Sequence, residues 1–88
     1  MILWLIDDTQ QHHDTAAATV AQVPGVRLVG FRSAEEGVEA FRAALRQPRQ
    51  LPDAVLMDFF LGDGRGDGVT AGLRSLEPAG KRPVFIGY

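Results

Sequence analysis

The chain of 88 residues contains no cysteine, which excludes disulfide staples and thiolate metal sites. It has a single lysine, Lys81, among nine basic residues, and its formal net charge is −2. Gripping a phosphate backbone takes clustered Lys and Arg, so nucleic acid is not an expected partner. Long apolar runs are missing too. The first, Ile2 to Ile6, has no basic residue before it and stops at two aspartates, too short for a membrane span or a secretion signal. A cytoplasmic protein without membrane contact is the expectation.

Hydrophobic residues make up 45% of the sequence, enough for a packed core. A chain of this size buries only about 60–65% of its unfolded surface, so one small domain with a thin stability margin is expected. Ile2-Leu3-Trp4-Leu5-Ile6 reads as a strand buried on both faces. Ala16, Val20 and Val23 share one helix face within a helix over about Gln10 to Val23, ended by Pro24-Gly25. Val26 to Phe31 reads as a second strand. Ser33-Ala34-Glu35-Glu36 has the capping-box pattern, in which Ser33 and Glu36 satisfy each other's backbone donors. Ala34, Val38, Phe41 and Leu45 then line the face of a second helix.

Ala54 to Met57 reads as a third strand ending in Asp58, followed by a glycine-rich loop from Gly62 to Gly68. Val69, Leu73 and Leu76 mark a short third helix, Glu77 to Arg82 a turn, and Pro83 to Ile86 a fourth strand. The order βαβαβαβ predicts an α/β fold with a parallel sheet joined by right-handed crossovers.

Ligand sites in open parallel sheets lie at the carboxyl ends of the strands. Asp7 and Asp8 end the first strand and Asp58 ends the third, so adjacency of those strands would bring three carboxylates together. Such a cluster must take up a proton or bind a cation, because unit charges about 4 Å apart repel by roughly 4 kcal/mol at an effective dielectric near 20. Oxygen-only ligands on a partly open site suit Mg²⁺. The plainer alternative is that Asp serves turns and helix N-caps, with Asp8 capping the first helix. An Asp pair after one buried strand and a third Asp after another argue for the acidic site.

These residues carry a family resemblance that spans essentially the whole chain. Leu3-Trp4-Leu5-Ile6-Asp7-Asp8 resembles the opening of response-regulator receiver domains, and Pro52-Asp53-Ala54-Val55-Leu56-Met57-Asp58 resembles their phosphoacceptor strand. The resemblance implies a flavodoxin-like, doubly wound parallel sheet and a two-component signalling role. It implies Asp58 as the phosphorylated residue, Asp8 as a direct Mg²⁺ ligand, and Asp7 as a ligand acting largely through water. The backbone carbonyl of Phe60 would complete the metal set. The donor would be a phosphohistidine on a histidine kinase or a histidine phosphotransfer protein.

The sequence departs from the family in three ways. Gly62 and Gly66 stand where receivers carry Pro and Gly after the phosphoacceptor. The family's Thr or Ser at the end of the fourth strand falls, by register from Pro83, on Tyr88 or just past it, so neither hydroxyl residue is available there. The fifth strand, the last two helices and the active-site lysine would lie beyond Tyr88; Lys81, before the fourth strand, does not replace that lysine. The expectation is therefore one receiver-like domain over 1–88, truncated after the fourth strand, with an apolar edge that favours a homodimer or a swapped dimer. A degenerate receiver, acting as an interaction module without phosphorylation, is the alternative function. A phosphatase of the haloacid dehalogenase type ranks below both, since Ile6-Asp7-Asp8-Thr9 lacks the second Asp at the required offset.

Other features point to bland roles. Asp63 to Gly68 has the look of a calcium loop, but Arg65 and Arg74 occupy its third and twelfth positions. His12 and His13 are adjacent, point to different sides of a helix and read as solvated. Trp4 reads as core, and Glu35, Glu36 and Glu39 as a solvated helix face.

Overall fold

A computed structural model describes residues 1–76 and 83–88. The elements are β1 (Ile2–Ile6), α1 (Gln10–Val20), β2 (Arg27–Phe31), α2 (Ala34–Leu45), a 3-10 turn (Pro48–Gln50), β3 (Ala54–Met57), β4 (Phe60–Leu61), β5 (Gly64–Arg65), α3 (Gly66–Arg74) and β6 (Val84–Gly87). The expected turn over 77–82, with Lys81, lies outside the described residues.

Four strands form a parallel sheet in the order β2-β1-β3-β6. Alternating strands and helices permit only crossover connections, which is why the pairing is parallel. The register aligns Ile6 with Phe31 on one side and with Met57 on the other. From β1 the chain moves to β2 on one side and later to β3 on the other, which opens a crevice at their carboxyl ends.

Side chains alternate across a strand, so β1 feeds both faces. Trp4 and Ile6 join Val55 and Met57 beneath α2 and α3, in a core with Phe41, Ala44, Leu51 and Leu73. Trp4 meets Phe31 and Phe41 edge to face, at centroid distances of 4.8 and 6.1 Å. Each fully buried side chain of this size contributes about 1.5–3 kcal/mol. Gly37 lets α2 sit this close, since a Cβ there would lie 2.6 Å from Ile6 Cδ1. On the opposite face Leu5 is buried, but no residue of α1 is. Leu5, His12, Thr15, Ala16, Leu56 and Tyr88 line a shallow apolar depression there.

The structure corrects three local expectations. α1 ends at Val20 and not at Val23. The amides of Gln22 and Val23 bond three residues back, to Thr19 and Val20, so the last turn tightens out of the α ladder. Pro24 also disfavours helical backbone at Val23, and Val23 is left exposed. The capping box is half formed: Ser33 Oγ accepts from Glu36 N–H at 3.1 Å, but Glu36 Oε2 accepts from Arg32 N–H at 2.9 Å, one residue before the expected partner. The glycine-rich stretch is a tight β4–β5 hairpin that runs directly into α3. Among the described residues, no helix is long and apolar enough to cross a membrane.

Candidate metal centre

Asp7 follows β1 and Asp58 follows β3, at matched positions of adjacent parallel strands. Asp58 N–H donates to the Ile6 carbonyl at 3.0 Å, and Asp7 N–H to the Phe31 carbonyl at 3.0 Å, so the ladder continues into the site. Oxygens of Asp7, Asp8 and Asp58 all lie within 4.8 Å of one another. Asp7 is buried, Asp58 half-buried and Asp8 exposed. The convergence expected from the sequence is present because β1 and β3 are neighbours.

Ligand oxygens around one Mg²⁺ stand about 3–4 Å apart. The 4.8 Å limit on the three carboxylates is somewhat wider than that spacing, and an all-oxygen donor set suits a hard cation. Phe60 opens β4, and its N–H donates to Asp58 Oδ1 at 3.2 Å. Among the described residues, the hydrogen bond to the Asp58 carboxylate is this one, on Oδ1.

The carboxylates differ electrostatically. Burial pushes Asp7 up, but the Tyr88 hydroxyl, the Thr9 amide and His12 outweigh it and hold Asp7 below its ordinary value. Thr9 N–H donates to Asp7 Oδ1 at 2.8 Å. His12 Nδ1 lies 2.7 Å from Asp7 Oδ2, and the Tyr88 hydroxyl donates to the same oxygen. Because a carboxylate only accepts, His12 Nδ1 carries the proton. Asp58 is raised, first by burial and then by repulsion from Asp7 and Asp8, against the opposing Phe60 N–H and His12. Among the described residues, the imidazole that reaches the cluster is that of His12, on Asp7.

The histidines are therefore not simply solvated. His12 holds the Asp7 side chain, and His13 Nε2 lies 2.7 Å from the Asp7 carbonyl oxygen. The start of α1 at Gln10 folds both rings back over the end of β1. Two further residues escaped the sequence reading. Arg32 donates to the Asp8 carbonyl at 2.8 Å, which steadies the acidic turn. Its position just after β2 is readable only once β2 is known to lie beside β1. Asp63, at the hairpin tip, accepts from the Ala34 and Glu35 amides at 2.8 and 2.9 Å and so caps α2 from outside the helix. Those two amides hold its carboxyl below the ordinary value.

Gly66 fixes the hairpin against Asp58. A Cβ on Gly66 would lie 2.1 Å from the Asp58 carbonyl oxygen and 2.9 Å from Phe59 Cα, and Gly66 N–H donates to the Phe59 carbonyl at 2.7 Å. On the other side, Tyr88 N–H donates to the Met57 carbonyl at 3.1 Å and Phe59 N–H to the Tyr88 carbonyl at 2.9 Å. Tyr88 thus sits beside Asp58. No protein-family model matches the chain, and no curated protein matches it.

Proposed function

We propose that this chain is a Mg²⁺-dependent phosphoacceptor, a receiver-like module of flavodoxin-like fold that takes a phosphoryl group on Asp58. The observation that carries the reading is the meeting of Asp7, Asp8 and Asp58 at the carboxyl ends of adjacent parallel strands. Asp8 and Asp58 would hold the ion, with Asp7 behind them and the Phe60 carbonyl as a further ligand. When bound, Mg²⁺ supplies positive charge against the oxygens of a transferring phosphoryl group.

Asp58 Oδ1 is held by Phe60 N–H, which leaves Oδ2 as the nucleophile. Attack in line on a phosphohistidine forms the acyl phosphate O–P bond and breaks the N–P bond. The electron pair returns to the imidazole, which takes up a proton from solvent. The donor is then a histidine kinase or a histidine phosphotransfer protein of the cytoplasm. The exposure of Asp8 keeps the site open to such a partner.

The test is incubation with Mg²⁺ and a small acyl phosphate, read by intact mass. A phosphate adduct on the wild type that is absent from Asp58→Asn supports the reading. No adduct, together with no effect of beryllofluoride and Mg²⁺ on the amide spectrum, refutes it. One observation favours the second reading, an interaction module that works without phosphorylation: the Tyr88 hydroxyl stands on Asp7, at the place where the family's smaller hydroxyl residue is expected.

A further inference from the structure

Asp7 is the buried member of the pocket, and its oxygens are already engaged. Oδ1 accepts from Thr9 N–H, while Oδ2 accepts from both His12 and the Tyr88 hydroxyl. A carboxylate oxygen offers about two lone-pair sites, so protein donors fill Oδ2. Burial, and then the negative charge of all three carboxylates, that of Asp7 first, hold the Tyr88 hydroxyl protonated and so able to donate.

Tyr88 is built so that this contact can open. Its backbone is pinned on both sides, through N–H to Met57 and through its carbonyl to Phe59. The residue is 51% exposed, and its ring meets the His12 ring edge to face at 6.3 Å. Side-chain rotation alone lifts the hydroxyl off Asp7 and leaves the β3–β6 pairing intact. We propose that the Tyr88 hydroxyl holds the place of the cation at Asp7 and is displaced when the ion binds, so that Tyr88 sets the cation affinity of the pocket. This rests on the reading of the pocket as a cation site. Tyr88 acts here through Asp7, as a positioning residue.

The chain has one tyrosine, so tyrosine ring signals in a nuclear magnetic resonance spectrum report on Tyr88 alone. Mg²⁺ is titrated into the wild type, Tyr88→Phe and Asp8→Asn, with calorimetry for affinity and ring signals for the latch. The ring signals of the wild type are expected to shift with the same midpoint as the heat. Tyr88→Phe keeps the ring and loses the competing hydroxyl, so it should bind Mg²⁺ about tenfold more tightly, the size expected for losing one hydrogen bond to a charged group. If Asp8→Asn abolishes binding while Tyr88→Phe binds no more tightly than the wild type, the cation reading stands and the latch falls. Ring signals that stay still while the wild type saturates also overturn the latch, without relying on the variant's folding. No binding by the wild type or by Tyr88→Phe overturns the cation reading and the latch together.

Discussion

Replacing Asp58 by Asn should stabilise the metal-free protein at neutral pH, although it removes the proposed acceptor. Asp58 shares a 4.8 Å neighbourhood with the carboxylates of Asp7 and Asp8. At that spacing each pair of charges repels by about 3 kcal/mol at an effective dielectric near 20, and by about 1 kcal/mol in bulk water. Asp8 is exposed and Asp58 only half-buried, so the screened end of that range applies. Attraction to His12 cancels a further part. The expected net gain is about 1 kcal/mol, which raises Tm by about 4–8 °C in a domain of this size. Asn keeps an oxygen for Phe60 N–H, so that hydrogen bond need not be lost.

The pH dependence carries a definite sign. Folding raises the pKa of Asp58, so this group favours the folded state below its unfolded pKa and loses that contribution as pH rises through the folded value. The advantage of Asp58→Asn should therefore be present at neutral pH and shrink as pH falls through the raised Asp58 value. Mg²⁺ should reverse the order. At one hundred times its dissociation constant an ion stabilises the protein that binds it by about 2.7 kcal/mol, and the variant has lost one ligand charge. Thermal melts followed by circular dichroism, at neutral and acidic pH and with and without Mg²⁺, measure all of this. An Asp58→Asn protein no more stable than the wild type at neutral pH without divalent ions would refute the argument that the cluster repels itself.

Two glycines of α3 should respond oppositely to alanine. Gly66→Ala drives a Cβ into the Asp58 carbonyl and should cost about 1–3 kcal/mol in urea unfolding, whereas Gly72→Ala meets nothing within 4 Å and should gain about 0.5–1 kcal/mol of helix propensity. Asp63→Ala removes the cap on the Ala34 and Glu35 amides and should cost about 1–2 kcal/mol by the same assay. Folding lowers the pKa of Asp63, so its contribution is present above the unfolded carboxylate pKa and is lost as pH falls through the lower folded value. The difference between wild type and Asp63→Ala should accordingly close in acid.

Much of the fold was legible in the sequence because its signals are local. The apolar run Ile2 to Ile6 can be satisfied only by burial on both faces, and the aspartates after it must lie at a strand end. The same logic places Asp58 after Ala54–Met57. The Ala34, Val38, Phe41 and Leu45 spacing marks the packed face of α2, where Ala34 and Phe41 are buried. The Ser33 half of the capping pair forms, since that contact is set by local helix geometry. The glutamate side chain is long enough to choose between neighbouring amides, and it chose that of Arg32.

What only the tertiary structure decided are the contacts between distant segments. The order β2-β1-β3-β6 sets β1 beside β3 and turns three separate aspartates into one pocket, and no periodicity encodes that order. Tyr88 reaches Asp7 across a sequence separation of 81, and Asp63 reaches the start of α2 across 28 and 29. His12 reads as solvated when its own helix is considered alone, and it becomes a partner of Asp7 because α1 turns back over the end of β1. The sequence by itself determined which carboxylates stand at strand ends, because burial of apolar runs leaves no other place for them. The sheet order and the closing of β6 beside β3 decided how those carboxylates are shared, since the donors that engage Asp7 arrive from both ends of the chain.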